Sequence, residues 1–128
     1  MRTLTLVFIT ALTIFASCGN EENEPQPTSR TLRYELTGNF SGSNMIAAYT
    51  TASGVTVTEQ ITSLPWNKEI TFDTNVTGAN LVISGAGGIV GQQATLVIRK
   101  GGSQVGTPIT ATVDAGGAFT LSSPVILF

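Results

Sequence analysis

The 128-residue chain has no histidine, a single cysteine, and only 11% charged residues. Each shortage removes a class of function. Imidazole is the commonest general base near neutral pH and the commonest metal ligand. Without it, Ser–His and Cys–His nucleophile systems and His-ligated zinc or haem sites are excluded. A lone thiol cannot close an intramolecular disulfide, so packing and backbone hydrogen bonds must hold the fold. No stretch beyond the N-terminal segment repeats its apolar residues every 3.6 positions, which argues against a helical core. Charge of one sign is scarce as well. From residue 30 onward, Arg30, Arg33, Lys68, Arg99 and Lys100 are balanced by Glu35, Glu59, Glu69, Asp73 and Asp114. Such a domain has no basic face for nucleic acid.

What is present divides the chain into three parts. Residues 1–17 read as a lipoprotein signal peptide. Arg2 is the positive start, Leu4 to Phe15 is an apolar run of twelve, and Ala16-Ser17 is a small pair before Cys18. A membrane-crossing helix needs about 20 residues, so this run has the length of a signal-peptide core. Residues 18–29 read as a lipidated cysteine followed by a flexible acidic linker, polar and proline-containing, as a solvated tether should be. Residues 30–128 are the part expected to fold, long enough for two packed layers.

Phe15-Ala16-Ser17-Cys18 resembles a bacterial lipobox, in which small residues precede a cysteine that receives a diacylglycerol on its thiol. Phe15 stands where leucine is usual, a looser form found in Bacteroidetes-type lipoproteins. The resemblance implies lipidation of Cys18 and attachment to the outer membrane. Glu21, Glu22 and Glu24 resemble the acidic export signal of such lipoproteins, which implies the cell surface over the periplasmic face. A merely soluble linker is the other reading of the same residues.

From residue 30 the chain reads as short strands separated by Gly, Asn and Ser. Leu32, Tyr34 and Leu36 alternate with polar neighbours. Further runs follow at 45–50, 55–60, 68–72, 79–84, 94–99, 105–113 and 118–125. Seven or eight short strands, with no connection long enough for a crossover helix, predict an all-β antiparallel sandwich or small barrel. Gly101-Gly102 and Gly116-Gly117 are expected hairpin turns, since glycine accepts positive φ.

Leu32-Arg-Tyr-Glu-Leu-Thr-Gly38, Ala47-Ala-Tyr-Thr50, Glu59 to Lys68 with its Leu64-Pro65-Trp66 corner, and Leu81-Val-Ile-Ser-Gly-Ala86 together resemble the MmpS-type envelope domain. Ala94 to Gly102 resembles that family's penultimate hairpin. The resemblance implies an immunoglobulin-like β-sandwich and a role as accessory to a transporter. Family members carry an N-terminal transmembrane helix, whereas this chain has the features of a lipid anchor.

Candidate chemistry is thin. Leu64, Pro65 and Trp66 form either a structural corner or a contact site, since a tryptophan beside a proline can anchor a partner. Glu59 and Glu69 flank this corner and could approach as a carboxylate pair, though their strand positions explain them equally. Gly85 to Gly91 superficially resembles a phosphate loop but lacks the helix and the Lys-Ser/Thr that such a loop needs, and reads as a mobile inter-strand loop. Asp73, Asn75 and Asp114 lack calcium-loop spacing and read as solvated turns. Residues 122–128 are apolar, and Pro124 suggests an edge strand able to accept a partner.

No cofactor or catalytic residue is therefore expected. The expected function is non-enzymatic: a lipid-anchored envelope protein acting through protein contacts, with a transport accessory as one form. The alternative is a surface binding or adhesion module for carbohydrate or protein.

Overall fold

The computed structural model describes residues 29–128, and the signal peptide, Cys18 and most of the linker lie outside the described residues. Eleven strands occur: β1 (Thr31–Gly38), β2 (Asn44–Thr50), β3 (Thr56–Gln60), β4 (Trp66–Thr71), β5 (Gly78–Ala79), β6 (Leu81–Ala86), β7 (Gln93–Lys100), β8 (Ser103–Gln104), β9 (Ile109–Thr112), β10 (Phe119–Ser122) and β11 (Ile126–Leu127). Eight have four or more residues, and β5, β8 and β11 are two-residue pieces. The fold is the expected all-β antiparallel sandwich.

One sheet runs β4-β1-β7, with β8 and β9 both pairing β7. The other runs β10-β6-β2-β3, and β5 and β11 form a separate two-stranded ribbon. Among the longer strands, only β2–β3 and β7–β9 are successive partners within one sheet; every other connection carries the chain between sheets. Alternation explains the layers. Leu32, Tyr34 and Leu36 of β1, Leu81 and Ile83 of β6, and Ala94, Leu96 and Ile98 of β7 are buried, and their neighbours along each strand are more exposed. Two inner faces of this kind interdigitate to make the core.

Several expectations need correction. The run 105–113 is not one strand, because Gly106 adopts positive φ and Pro108 has no N–H to donate, leaving β8 and β9 as separate pieces along β7. The run 118–125 likewise breaks: β10 ends at Ser122, and the chain turns past Pro124 to pair β11 with β5. Gly101-Gly102 does turn the β7–β8 hairpin, with φ of +60° and +90°. Gly116-Gly117 does not turn a hairpin. It lies in the arch from β9 in one sheet to β10 in the other, and Asp114 Oδ1 accepts from the amides of Gly116 and Ala118 there.

The segment 85–91 is tied down. Gly88 N donates to Gly117 O at 2.9 Å, Gly91 N to Val113 O at 3.0 Å, and Gln92 Oε1 accepts from the amides of Ile89 and Ser41. Its glycines serve packing. A Cβ at Gly88 would lie 2.4 Å from the Phe40 ring, and one at Gly85 would lie 2.2 Å from Phe119. Phe40 and Phe119 meet edge to face at 4.9 Å inside this cradle.

One core group is unpartnered. Tyr34 is 0% exposed, and its hydroxyl has no hydrogen-bond partner among the described residues. Burial pushes the phenol up to about 12. Removing an unpaired buried hydroxyl relieves a desolvation penalty of about 1–3 kcal/mol. Tyr34→Phe is therefore expected to raise unfolding free energy by about 1 kcal/mol in urea titrations, once a small void is allowed for. Because the folded pKa is raised, Tyr34 contributes stability that is complete below the unfolded value of about 10 and lost as pH rises toward 12. The variant should lose less stability over that window; a less stable variant at neutral pH would mean that the hydroxyl is satisfied after all.

Candidate functional site: the Glu59 cluster and the Leu64–Trp66 corner

β3 and β4 are edge strands of opposite sheets and lie on the same flank of the sandwich. Residues 61–65 arch between them. Ile61 is buried, and its amide donates to Met45 O at 2.8 Å, fixing the start of the arch. The Leu64-Pro65 peptide bond is cis, and Leu64 and Trp66 are half-buried against the core while Pro65 is exposed. Trp66 thus carries the chain into β4 beside Leu36 of β1.

The arch brings four side chains together. Tyr49 of β2 donates its hydroxyl to Glu59 Oε1 at 2.8 Å. Lys68 Nζ lies 2.7 Å from the same oxygen, and Trp66 Nε1 donates to Glu59 Oε2 at 3.2 Å. Lys68 Nζ also stands 5.4 Å from the Tyr49 ring centroid, within cation–π range. The hydrogen bond from Lys68, with those from Tyr49 and Trp66, holds the Glu59 carboxyl below its ordinary value against the opposing effect of burial. The bond to Glu59 raises Lys68, and burial followed by donation to Glu59 raises Tyr49. At neutral pH the carboxylate is ionised, the ammonium protonated and the phenol neutral. Both carboxylate oxygens are engaged, so the group is arranged as a staple between two sheets more than as a waiting base.

Glu69 does not join Glu59. It faces away from the core, opposite Arg33 of β1, whereas Lys68, Trp66 and Ile70 face inward. Parity was the available signal. A lysine between two inward apolar positions of an edge strand must meet something, and inward charges are one way natural sheets guard their edges. On the outer face of β1, Glu35 accepts from Arg33 at 2.9 Å and Arg99 at 3.2 Å. Burial opposes ionisation of Glu35, but the two guanidinium groups outweigh it and lower its pKa. Asp73 and Asn75 are exposed, and Asp114 is committed to its turn. Among the described residues no three acidic, histidine or cysteine side chains gather around a point. Nor is any described helix long and apolar enough to cross a membrane.

No family model matches the chain, and no curated protein or solved structure matches it.

The cluster predicts a pH response. A depressed Glu59 pKa contributes stability that is present above the unfolded carboxylate value of about 4.3 and lost as pH falls through the folded one. The raised Lys68 pKa contributes stability present below about 10.4 and lost as pH rises through the folded value. The side chains of Lys68 and Glu59 are 29% and 34% exposed, so solvent screens the pair. Glu59→Gln is expected to cost about 1 kcal/mol at pH 7 and progressively less as pH falls through the folded value of Glu59. Thermal melts across this range check it; an equal cost at both ends would remove the ionic contribution.

Proposed function

We propose that this chain is a lipid-anchored envelope protein whose β-sandwich works by contacting another protein, not by catalysis. The N-terminal pattern ending in Cys18 supports the anchoring. The resemblance of Tyr34 to Gly38 and of Leu64 to Trp66 to MmpS-type domains supports a transport accessory as the form of the role. The observation that carries the contact reading is the exposed pair Ile89 and Val90, each 63% accessible.

These two side chains sit between Gly87 and Gly91, both at positive φ, in a loop held by the backbone and Gln92 bonds described above. They are presented rigidly, so little ordering entropy is lost when a partner covers them. Adjacent aliphatic side chains exposed on a fixed loop fit an apolar patch on a protein. The same loop would serve the second reading, an adhesion module, if its partner lay outside the cell.

A photo-crosslinking residue at Val90, in native membranes, tests this. A discrete adduct with one envelope protein is expected, and a control at Thr58 on the exposed edge strand β3 should give none. Adducts absent at both Ile89 and Val90 would overturn the contact reading.

A further inference from the structure

The end of the sandwich opposite Ile89 and Val90 has a different chemistry. There Ser29 enters the domain, its hydroxyl accepting from Thr31 N at 3.2 Å and its side chain lying where a Cβ on Gly101 would fall. The β11–β5 ribbon closes this end. Ile126 is buried, while its neighbours Val125 and Leu127 are 60% and 69% exposed and flank Gly78 on one side. Lys100 Nζ donates to Leu127 O at 2.9 Å and lies 5.2 Å from the Phe128 ring centroid. The Arg30 guanidinium lies 5.0 Å from the same centroid and donates to the carbonyls of Phe72, Asp73 and Val76.

Arg30 and Lys100 therefore flank one ring and make no ion pair with a carboxylate among the described residues. Asp73 is the acidic side chain on these segments. The opposite end, around residues 39–43, 86–92 and 113–118, carries no Lys or Arg.

We infer that this end rests on a membrane surface, with Val125 and Leu127 at the lipid boundary and Arg30 and Lys100 toward anionic headgroups. The inference rests on the lipid anchor at Cys18. Two observations favour a membrane over a protein partner. First, the chain enters the fold here, and the ten residues between Cys18 and Ser29 reach about 36 Å at most. The tether thus joins the anchor to this end and not to the end that bears Ile89 and Val90. Second, the folded surface at this end carries Arg30 and Lys100 against Asp73, while Glu21, Glu22 and Glu24 lie in the tether; apolar side chains with flanking cations are the composition of interfacial segments, and a cation beside an anionic bilayer is attracted within a Debye length. The consequence is orientation. Strand β1 spans roughly 25 Å, so contact at the tethered end holds Ile89 and Val90 about that far from the lipid.

The test uses the full chain, purified from membranes in detergent and reconstituted into vesicles of phosphatidylcholine with or without phosphatidylglycerol. Leu127→Cys and Val90→Cys, made separately, are labelled with a maleimide fluorophore. A lipidated Cys18 has no free thiol, so the unsubstituted chain should not label. In phosphatidylglycerol vesicles, nitroxide-bearing lipids should quench the label at 127 and spare the label at 90. Adding Lys100→Gln should weaken the lipid-bound state roughly fivefold.

Equal quenching at 127 and 90, with the unsubstituted chain still unreactive, would overturn the orientation and leave the anchor standing. Labelling of the unsubstituted chain would remove the anchor and the orientation together.

Discussion

Phe119→Ala should lower unfolding free energy by about 3–5 kcal/mol, read as a shift in urea midpoint with unchanged slope. The side chain is 5% exposed and meets Phe40 edge to face at 4.9 Å. Its loss removes transfer energy and leaves a hole that the surroundings cannot close. One wall is backbone, since a Cβ on Gly85 would come within 2.2 Å of the Phe119 ring, and another is Phe40, itself held by the main chain of Gly42, Gly85 and Gly88. Main chain cannot move into the gap, and Phe40 has little room to shift between the glycines that hold it.

The converse change sharpens the point. Gly85→Ala puts a methyl where Phe119 stands, and overpacking of that kind costs about 1–3 kcal/mol. Combining Gly85→Ala with Phe119→Leu should cost less than the sum of the two single changes, since the smaller side chain vacates the space. Strict additivity would mean that the two positions do not share volume.

These glycines also mark the limit of what the sequence disclosed. Alternation marks Leu32, Tyr34 and Leu36 as one face of a strand, and they are buried together with Leu81, Ile83 and Leu96 of the runs at 79–84 and 94–99. Two-residue periodicity is local, and each of these strands has one wet face to contrast with one dry face. The loop at 85–91 failed for the complementary reason. Glycine clusters signal backbone freedom, but here the requirement is absence of volume beside Phe40, a ring more than forty positions away in the chain. Gly116-Gly117 misled similarly: a turn is legible locally, whereas whether it joins strands of one sheet or two depends on global pairing.

Glu59 shows the same division. Its place on a strand was readable, but its partner was not. Glu69 was the nearer guess by type, and Lys68 is the partner found because β4 presents even-numbered side chains to the core. Trp66 serves the corner as a half-buried donor whose indole N–H completes the carboxylate's bonds.

The other large effect concerns position 18, outside the described residues. Cys18→Ala should abolish incorporation of a fatty-acid analogue and remove the mature protein from the membrane fraction. The size of the effect follows from the chemistry of acyl chains: about 0.8 kcal/mol per buried methylene, with one chain giving marginal attachment and a second making it durable. The twelve residues from Leu4 to Phe15, nine apolar and three threonine, would span only about 18 Å as a helix, against about 30 Å of hydrocarbon. The tethered end, with Arg30, Lys100, Val125 and Leu127, supplies a surface affinity of a few residues only, enough to orient an anchored domain but not to hold a free one. Salt extraction separates the two contributions. Wild type should resist it, whereas Cys18→Ala protein still found on membranes should wash off as ionic strength screens its cations. Fatty-acid labelling that survives Cys18→Ala would place the lipid on another residue, and the orientation drawn from the tether would fall with it.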